Sequence, residues 1–258
     1  MARVFITGSS DGLGLAAARL LAGEGHEVVG HARNEQRASD LRRAAPRVAR
    51  VLTGDLSSAA GTRSVAGQAN ALGRFDAVIH NAGVGYREPR KITTVDGHAH
   101  VLAINVLAPY LLTVLTAPPA RLVYLSSGMH RGGTPSTEDL DWERRPWNGT
   151  QAYSDSKLFD ATLAAAVARR WPGVLSNAVE PGWVPTKMGG PGAPDDLAQA
   201  HVTQAWLAVG DDPGALVSGG YFYHQAPRAV LPAVRSVSFQ DRLLDELARL
   251  TGERLPVG

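Results

Sequence analysis

The 258 residues carry 26 Lys and Arg against 24 Asp and Glu, a net charge of +2, and 44% are hydrophobic, enough for a sizeable buried core. No basic run of five or more residues occurs, so the sequence pI of about 9.1 does not amount to a nucleic-acid footprint. The absence of cysteine excludes disulfides, thiolate nucleophiles and cysteine metal sites, and the eight scattered histidines suggest no metal site either.

In chain order, "RVFITG" reads as a short β-branched strand, and "LGLAAARLLAGEG" follows with helical spacing and a glycine stop. "HEVVGHA" is a second strand before a helix over "NEQRASDLRRAA", and "RVARVLTGD" a third before a helix over 57–72. "FDAVIHNAG" is a fourth strand, followed by a long helix over 94–116, and "ARLVYLSS" is a fifth. A helix over 152–171, a sixth strand "GVLSNAVEPG", a helix over 195–209, a seventh strand "ALVSGGYFY" and an amphipathic helix "SFQDRLLDELARL" complete the chain. This alternation predicts an α/β fold in one domain spanning 1–258, a doubly wound parallel sheet of about seven strands with helices on both faces. Ligands of such sheets bind beyond the C-terminal strand ends. The irregular stretch 128–150 reads as a lid or surface excursion. His98 and His100 read as ordinary solvated residues.

The chain enters its first strand without a charged segment and long apolar run, so no signal peptide is expected. The apolar stretch 101–120 is interrupted by Asn105, Pro109 and Pro118-Pro119, which favours a buried helix over a membrane span. A cytoplasmic protein with no nucleic-acid or membrane partner is the expectation.

Two motifs carry chemistry. "TGSSDGLG", Thr7 to Gly14, joins the first strand to the first helix, where a glycine turn and a helix N-terminus offer N–H groups to a phosphate. "YSDSK" places Tyr153 and Lys157 on one face of a helix. A free phenol titrates near pH 10, and a cation one turn away favours its ionised form, so the pair suits proton transfer at neutral pH.

The pattern Thr7, Gly8, Gly12 and Gly14 resembles that of the short-chain dehydrogenase/reductase family in its single-domain branch. So do "NAG" (Asn81, Ala82, Gly83), Asn105, Ser127 in "YLSSG", Tyr153-x-x-x-Lys157 and "PGWVPT" (Pro181 to Thr186). His80 stands where the family often has asparagine, and Ser127 and Tyr153 lie 26 positions apart, further than is usual. That spacing, with "SSGMH", "SKL" and Asp96-Gly97, resembles the retinol-dehydrogenase-like branch and bacterial ketoreductases. The resemblance implies a Rossmann fold and an oxidoreductase that interconverts a small ketone or aldehyde and its alcohol by hydride transfer with a nicotinamide cofactor. Tyr153 would be the general acid and base, Ser127 would hold the substrate oxygen, Lys157 would hold the nicotinamide ribose, and Asn105 would fix a relay water. Further cofactor contacts are implied for Gly8, Ser9, Ser10, Gly12, Leu13, Gly14, Arg33, Asn34, Asp55, Leu56, Asn81, Ala82, Gly83, Pro181, Gly182, Val184 and Thr186, with Asp55 receiving the adenine amino group.

NADP(H) is the expected cofactor and NAD(H) the second choice. Ala32 stands where NAD enzymes carry an acid for the ribose 2′-OH, and Arg33 suits a 2′-phosphate. Asp11, where many NADP-dependent relatives carry a base, counts the other way. Met129, Trp147, Trp183 and Met188 read either as lining of an apolar substrate pocket or as packing. An NADP-sensing regulator and an isomerase or dehalogenase are the alternatives, and the intact Ser127, Tyr153 and Lys157 argue against the regulator. Family precedent suggests a homodimer or homotetramer through helices 94–116 and 152–171, unless 128–150 covers that face.

Overall fold

The computed structural model describes residues 1–256. Seven strands pair in parallel: β1 (Arg3–Ile6), β2 (Glu27–Ala32), β3 (Arg50–Thr53), β4 (Ala77–His80), β5 (Arg121–Leu125), β6 (Leu175–Val179) and β7 (Tyr221–Tyr223). An eighth, β8 (Ala226–Pro227), adds an antiparallel edge, and the order is β3-β2-β1-β4-β5-β6-β7-β8. The order reverses between β1 and β4, and that switch point opens a crevice at the C-terminal strand ends.

Alternate residues of β1 feed the two cores, as the period of a strand requires. Val4 and Ile6 join Ile79, Val123 and Val179 against α1 (Gly12–Gly23) and α7 (Val202–Val209). Phe5 joins Val78, Leu122 and Tyr124 on the other face, against α3 (Ala59–Ala71), α5 (Ala108–Leu115) and α6 (Gly149–Arg170). The helix α2 (Glu35–Ala44) is capped by Asn34, whose side chain accepts from Arg37 N at 3.0 Å.

Several boundaries differ from the sequence reading. The helix expected over 94–116 begins as α4 (His100–Leu102), because Gly97 (φ +89°) and the Thr93–Ala99 bridge close a turn over its first residues. A π-helical turn, Ala103–Leu107, then separates α4 from α5. The helix expected from 195 begins at Val202, since Asp195 accepts from Trp183 N and Asp196 from Ala198 N. Of "ALVSGGYFY" only Tyr221–Tyr223 is strand, because Gly219 turns at φ +77°. His98 and His100 are half-buried, not free in solvent. His98 Nδ1 lies 2.8 Å from Asp141, whose hydrogen bond raises the imidazole pKa, and His100 Nδ1 lies 2.6 Å from Glu88.

The excursion after β5 is packed rather than free. Leu140 and Trp142 are buried, and Arg145 lies 3.6 Å over the Trp142 ring while pairing with Asp155 of α6. On the same side α8 (Val237–Thr251) turns Phe239, Leu243 and Leu247 onto Phe159 and Leu163 of α6. The C-terminal residues then suture the face: Tyr110 Oη donates to Glu253 O at 2.8 Å, and Trp171 Nε1 to Pro256 O at 2.8 Å. Residues 152–164 of α6 are all buried within the chain. The face expected to bind a second subunit is therefore already covered, by α8 as well as by the excursion. Multi-angle light scattering should return the mass of one chain, 27.2 kDa. A dimer or tetramer peak would require a different interface.

Candidate active site

The glycine turn is closed from two sides. Thr7 Oγ1 accepts from Asn81 N and Ala82 N, each at 3.0 Å, and Asn81 Nδ2 donates to Thr7 O and Gly8 O at 3.0 and 3.1 Å. Gly8 has φ +62°, and a Cβ there would lie 2.8 Å from Ala82 Cα. A Cβ on Gly14 would overlap both the Asn81 side chain and the Gly8 carbonyl. Both positions therefore need glycine, since the β1–α1 turn and the turn after β4 meet too closely for a side chain at either. Asp11 caps α1 by accepting from Gly12 N at 2.8 Å. This cradle at a helix N-terminus fits a nucleotide pyrophosphate. Ser10 and Leu13 are half-buried and Gly12 is exposed along it. Ser9 is fully buried and bonded to His31, so it acts through the shape of the turn.

At the end of β2, Ala32 is buried, and Arg33 is exposed without a hydrogen bond or ion pair among the described residues. Sequence reasoning missed Arg37, one helical turn beyond Arg33. Its guanidinium lies 3.3 Å from Ser10 O, 3.3 Å from Asp11 and 3.4 Å from Asp40. Lys187 pairs with Asp11 from the opposite loop. A hydrogen bond from Lys187, reinforced by Gly12 N–H and Arg37, holds Asp11 below the usual carboxylate range. The acid that weighed against a 2′-phosphate is thus compensated by two cations. After β3, Asp55 is exposed and accepts from Ser57 N at 2.9 Å, with Leu56 buried beside it.

The proposed reacting groups come from three elements. Tyr153 is 6% exposed, and its hydroxyl's one hydrogen-bond partner among the described residues is Met188 Sδ, at 3.9 Å. Ser127 caps the 3-10 turn Gly128–Gly132 by accepting from Met129 N at 3.2 Å, which leaves its own proton uncommitted. Ser126 is buried and donates to Lys157 O at 2.7 Å, so the second serine is the one open to the crevice. Lys157 Nζ lies 5.7 Å from the Tyr153 ring centre and donates to Leu125 O at 2.7 Å and Asp160 Oδ2 at 2.8 Å.

Asn105 sits in the π turn, a distortion common at functional positions. Its amide accepts from Val84 N at 2.8 Å and donates to Val84 O and Ser156 Oγ. It thereby ties the loop after Gly83 to α6. Gly83 is packed against both Asn105 and Lys157, at 3.4 and 3.6 Å from a Cβ placed on it. His80 is buried under this group and stacked 4.7 Å from Tyr124; burial takes its pKa down to about 3, so it is neutral packing.

The loop after β6 forms the other wall. Gly182 has φ +91°, with Pro181 before it and Val184 buried, and Thr186 Oγ1 accepts from Gly189 N at 3.2 Å. Met188 reaches Tyr153 as expected of a lining residue, and Tyr86 meets the Tyr153 ring edge-on at 5.7 Å. Trp183 is 54% exposed on the same loop. Trp147 instead packs on Trp142 and donates to Glu88 O at 2.9 Å, so it belongs to the excursion.

Residues 2–137 match the family model described as short chain dehydrogenase. The whole chain is 43% identical to the whole of an uncharacterized oxidoreductase from Emericella nidulans. It is 32% identical to human retinol dehydrogenase 13, over 98% of this chain and 85% of that one. Among solved structures, an uncharacterized protein from Mycobacterium paratuberculosis superposes with TM-score 0.85 at 24% identity, covering 99% of this chain and 95% of the other. The Pseudomonas aeruginosa RhlG/NADP complex superposes with TM-score 0.69 at 22% identity, covering 86% and 93%. No helix among the described residues is long and apolar enough to cross a membrane.

Proposed function

The chain belongs to the short-chain dehydrogenase family, a family of NAD(P)-dependent oxidoreductases, and from that premise we propose an NADP(H)-dependent carbonyl reductase with Tyr153 as general acid and base. One observation supports the reading: the hydroxyls of Tyr153 and Ser127 have no oxygen acceptor among the described residues, and Lys157, one turn from Tyr153 on α6, is buried. A tyrosine or serine kept for packing would spend its proton inside the protein. The bound nucleotide would supply the hydride, which is chemistry no side chain here can perform.

The rest falls to the chain. Gly8 to Gly14, Asn81 to Gly83, Asp55, Leu56 and Pro181 to Thr186 would hold the nucleotide along the strand ends. Ser127 would donate to the substrate oxygen and stabilise the charge that develops there. Tyr153 would give its proton to that oxygen in reduction and take it back in oxidation. Lys157, fixed by Leu125 O and Asp160, keeps one N–H for the ribose, since an ammonium has three and the chain takes two. Asn105 would act by holding the Val84 backbone and the Ser156 hydroxyl of α6 in register. Met188, Tyr86 and Trp183 supply an apolar wall, which suits an apolar ketone or aldehyde. Consumption of NADPH across a panel of ketones, aldehydes and quinones tests the reading. Tight NADPH binding with no turnover of any of them would favour a cofactor sensor instead.

NADPH preference is expected from Arg33, with Arg37 beside it. A charged hydrogen bond to phosphate is worth about 1.5–3 kcal/mol, or roughly ten- to a hundredfold in affinity. Arg33→Ala should raise the KM for NADPH by that factor and leave NADH nearly unchanged. The measure is kcat/KM with each cofactor against one carbonyl substrate. An unaltered NADPH value would reduce Arg33 to a surface residue.

A further inference from the structure

We propose that His31 is a positioning residue for the nucleotide: its neutral imidazole holds the glycine turn in the shape that takes the pyrophosphate, and protonation of the ring releases that turn. The inference rests on the reading of Thr7 to Gly14 as the nucleotide turn. His31 lies on β2, is 2% exposed, and bonds to two β–α connections at once, β1–α1 and β3–α3. Its Nε2 is 2.9 Å from Gly54 O, after β3. A carbonyl only accepts, so Nε2 carries the hydrogen. Its Nδ1 is 3.1 Å from Gly8 N, a donor, so Nδ1 must present its lone pair. The two bonds together fix one neutral tautomer.

The backbone of the same residue adds two more ties. His31 N donates to Ser9 Oγ at 2.8 Å, and Ser9 N donates to His31 O at 3.1 Å. Gly8 and Ser9, the first residues of the turn, thus hang on one side chain and its own peptide groups. An imidazolium has a donor on each nitrogen and cannot accept from Gly8. On protonation, Gly8 N–H and the new Nδ1–H would face each other and the turn would have to open.

The charged group that acts on the ring is Asp55, after β3; Asp11 of the turn and Arg37 of α2 are paired with each other. Burial lowers the imidazole pKa and outweighs the Gly54 carbonyl and Asp55, which pull the other way. The neutral ring and its bonds are therefore present at physiological pH and lost as pH falls through a value below 6.5.

The test is NADP+ binding by calorimetry between pH 8 and pH 5, without any carbonyl substrate. Wild-type affinity should fall about tenfold per pH unit below the His31 midpoint, the slope of one linked proton. The 2′-phosphate itself titrates near pH 6, so the quantity read is the difference between wild type and His31→Asn. The asparagine carbonyl can accept from Gly8 without titrating. Affinity at pH 8 should stay within a few-fold of wild type in that variant, and the His31 part of the pH slope should vanish. In the wild-type protein, histidine 15N shifts should report Nδ1 as unprotonated and Nε2 as protonated, a readout that needs no variant. An identical pH slope in both proteins at pH values below the His31 midpoint, which the same 15N shifts locate, or the opposite tautomer, would overturn the proposal. Failure of wild type to bind NADP+ at any pH would instead overturn the reading of the nucleotide turn.

Discussion

Tyr153→Phe should lower kcat by about 10²–10⁴-fold, the range that a positioned general acid contributes, while leaving the Kd for NADPH within a few-fold. The ring of Tyr153 is buried and meets Tyr86 edge-on, so phenylalanine keeps the packing. Among the described residues the hydroxyl's one hydrogen-bond partner is the Met188 sulfur, so its loss orphans no buried oxygen or nitrogen there. Little stability should therefore be lost, and the two measurements separate cleanly. Cofactor affinity reports the intact crevice, and single-turnover reduction of a carbonyl reports the missing proton. Near-normal turnover in this variant would end the proposed mechanism. Lost NADPH binding would show that the phenol serves the cofactor more than the substrate.

What the sequence discloses about this site follows from how local each constraint is. The glycine turn is legible because Gly8 and Gly14 are required by close backbone approaches that recur wherever a first strand meets a first helix over a phosphate. Tyr153 and Lys157 are legible because a helix puts positions four apart on one face. The order of the strands is legible from alternation, yet the long helix was misplaced. Apolar spacing runs through 94–99 without registering the turn at Gly97, and no periodicity encodes the π turn around Asn105. His31 and Arg37 were invisible because their meaning lies in tertiary contacts with Gly8 and Ser10. The cover provided by α8 was invisible for the same reason. Its apolar stripe was read, but nothing in the stripe says that its partner is α6. Asp160 is a different kind of miss. It lies three positions after Lys157 on the same helix, where side chains meet, and the spacing alone could have flagged it.

That neighbour carries the largest expected effect on stability. Lys157 and Asp160 form an ion pair whose side chains are only 6% and 3% exposed, with Nζ 2.8 Å from Oδ2. Burial pushes the Asp160 carboxyl up and Lys157 opposes the rise, while burial lowers the Lys157 ammonium pKa and Asp160 and Tyr153 outweigh it, so the lysine stays charged. Asp160 Oδ1 has no hydrogen-bond partner among the described residues, so the carboxylate depends on the ammonium. Removing one member of such a pair strands the other and costs about 3–5 kcal/mol. For a chain of this size each kcal/mol moves Tm by roughly 2–4 °C, so Asp160→Asn should lower Tm by roughly 6–20 °C. The decisive comparison is the double variant Lys157→Met with Asp160→Leu. Replacing both charges with apolar groups of similar size removes the stranded ammonium, and such replacements are often neutral. Its Tm should return to within a few degrees of wild type, although it would lack the lysine proposed to hold the ribose. Thermal melts at pH 7.5 decide the matter. A Tm for Asp160→Asn within two degrees of wild type, at about the precision of such melts, would mean that water or a rearranged Lys157 already compensates the charge. A double variant as unstable as the single one would place the cost in packing rather than in the uncompensated charge. On the proposed reading Lys157 must remain a cation in a buried site whether or not the nucleotide is bound, and Asp160 supplies the counter-charge from three positions along the same helix.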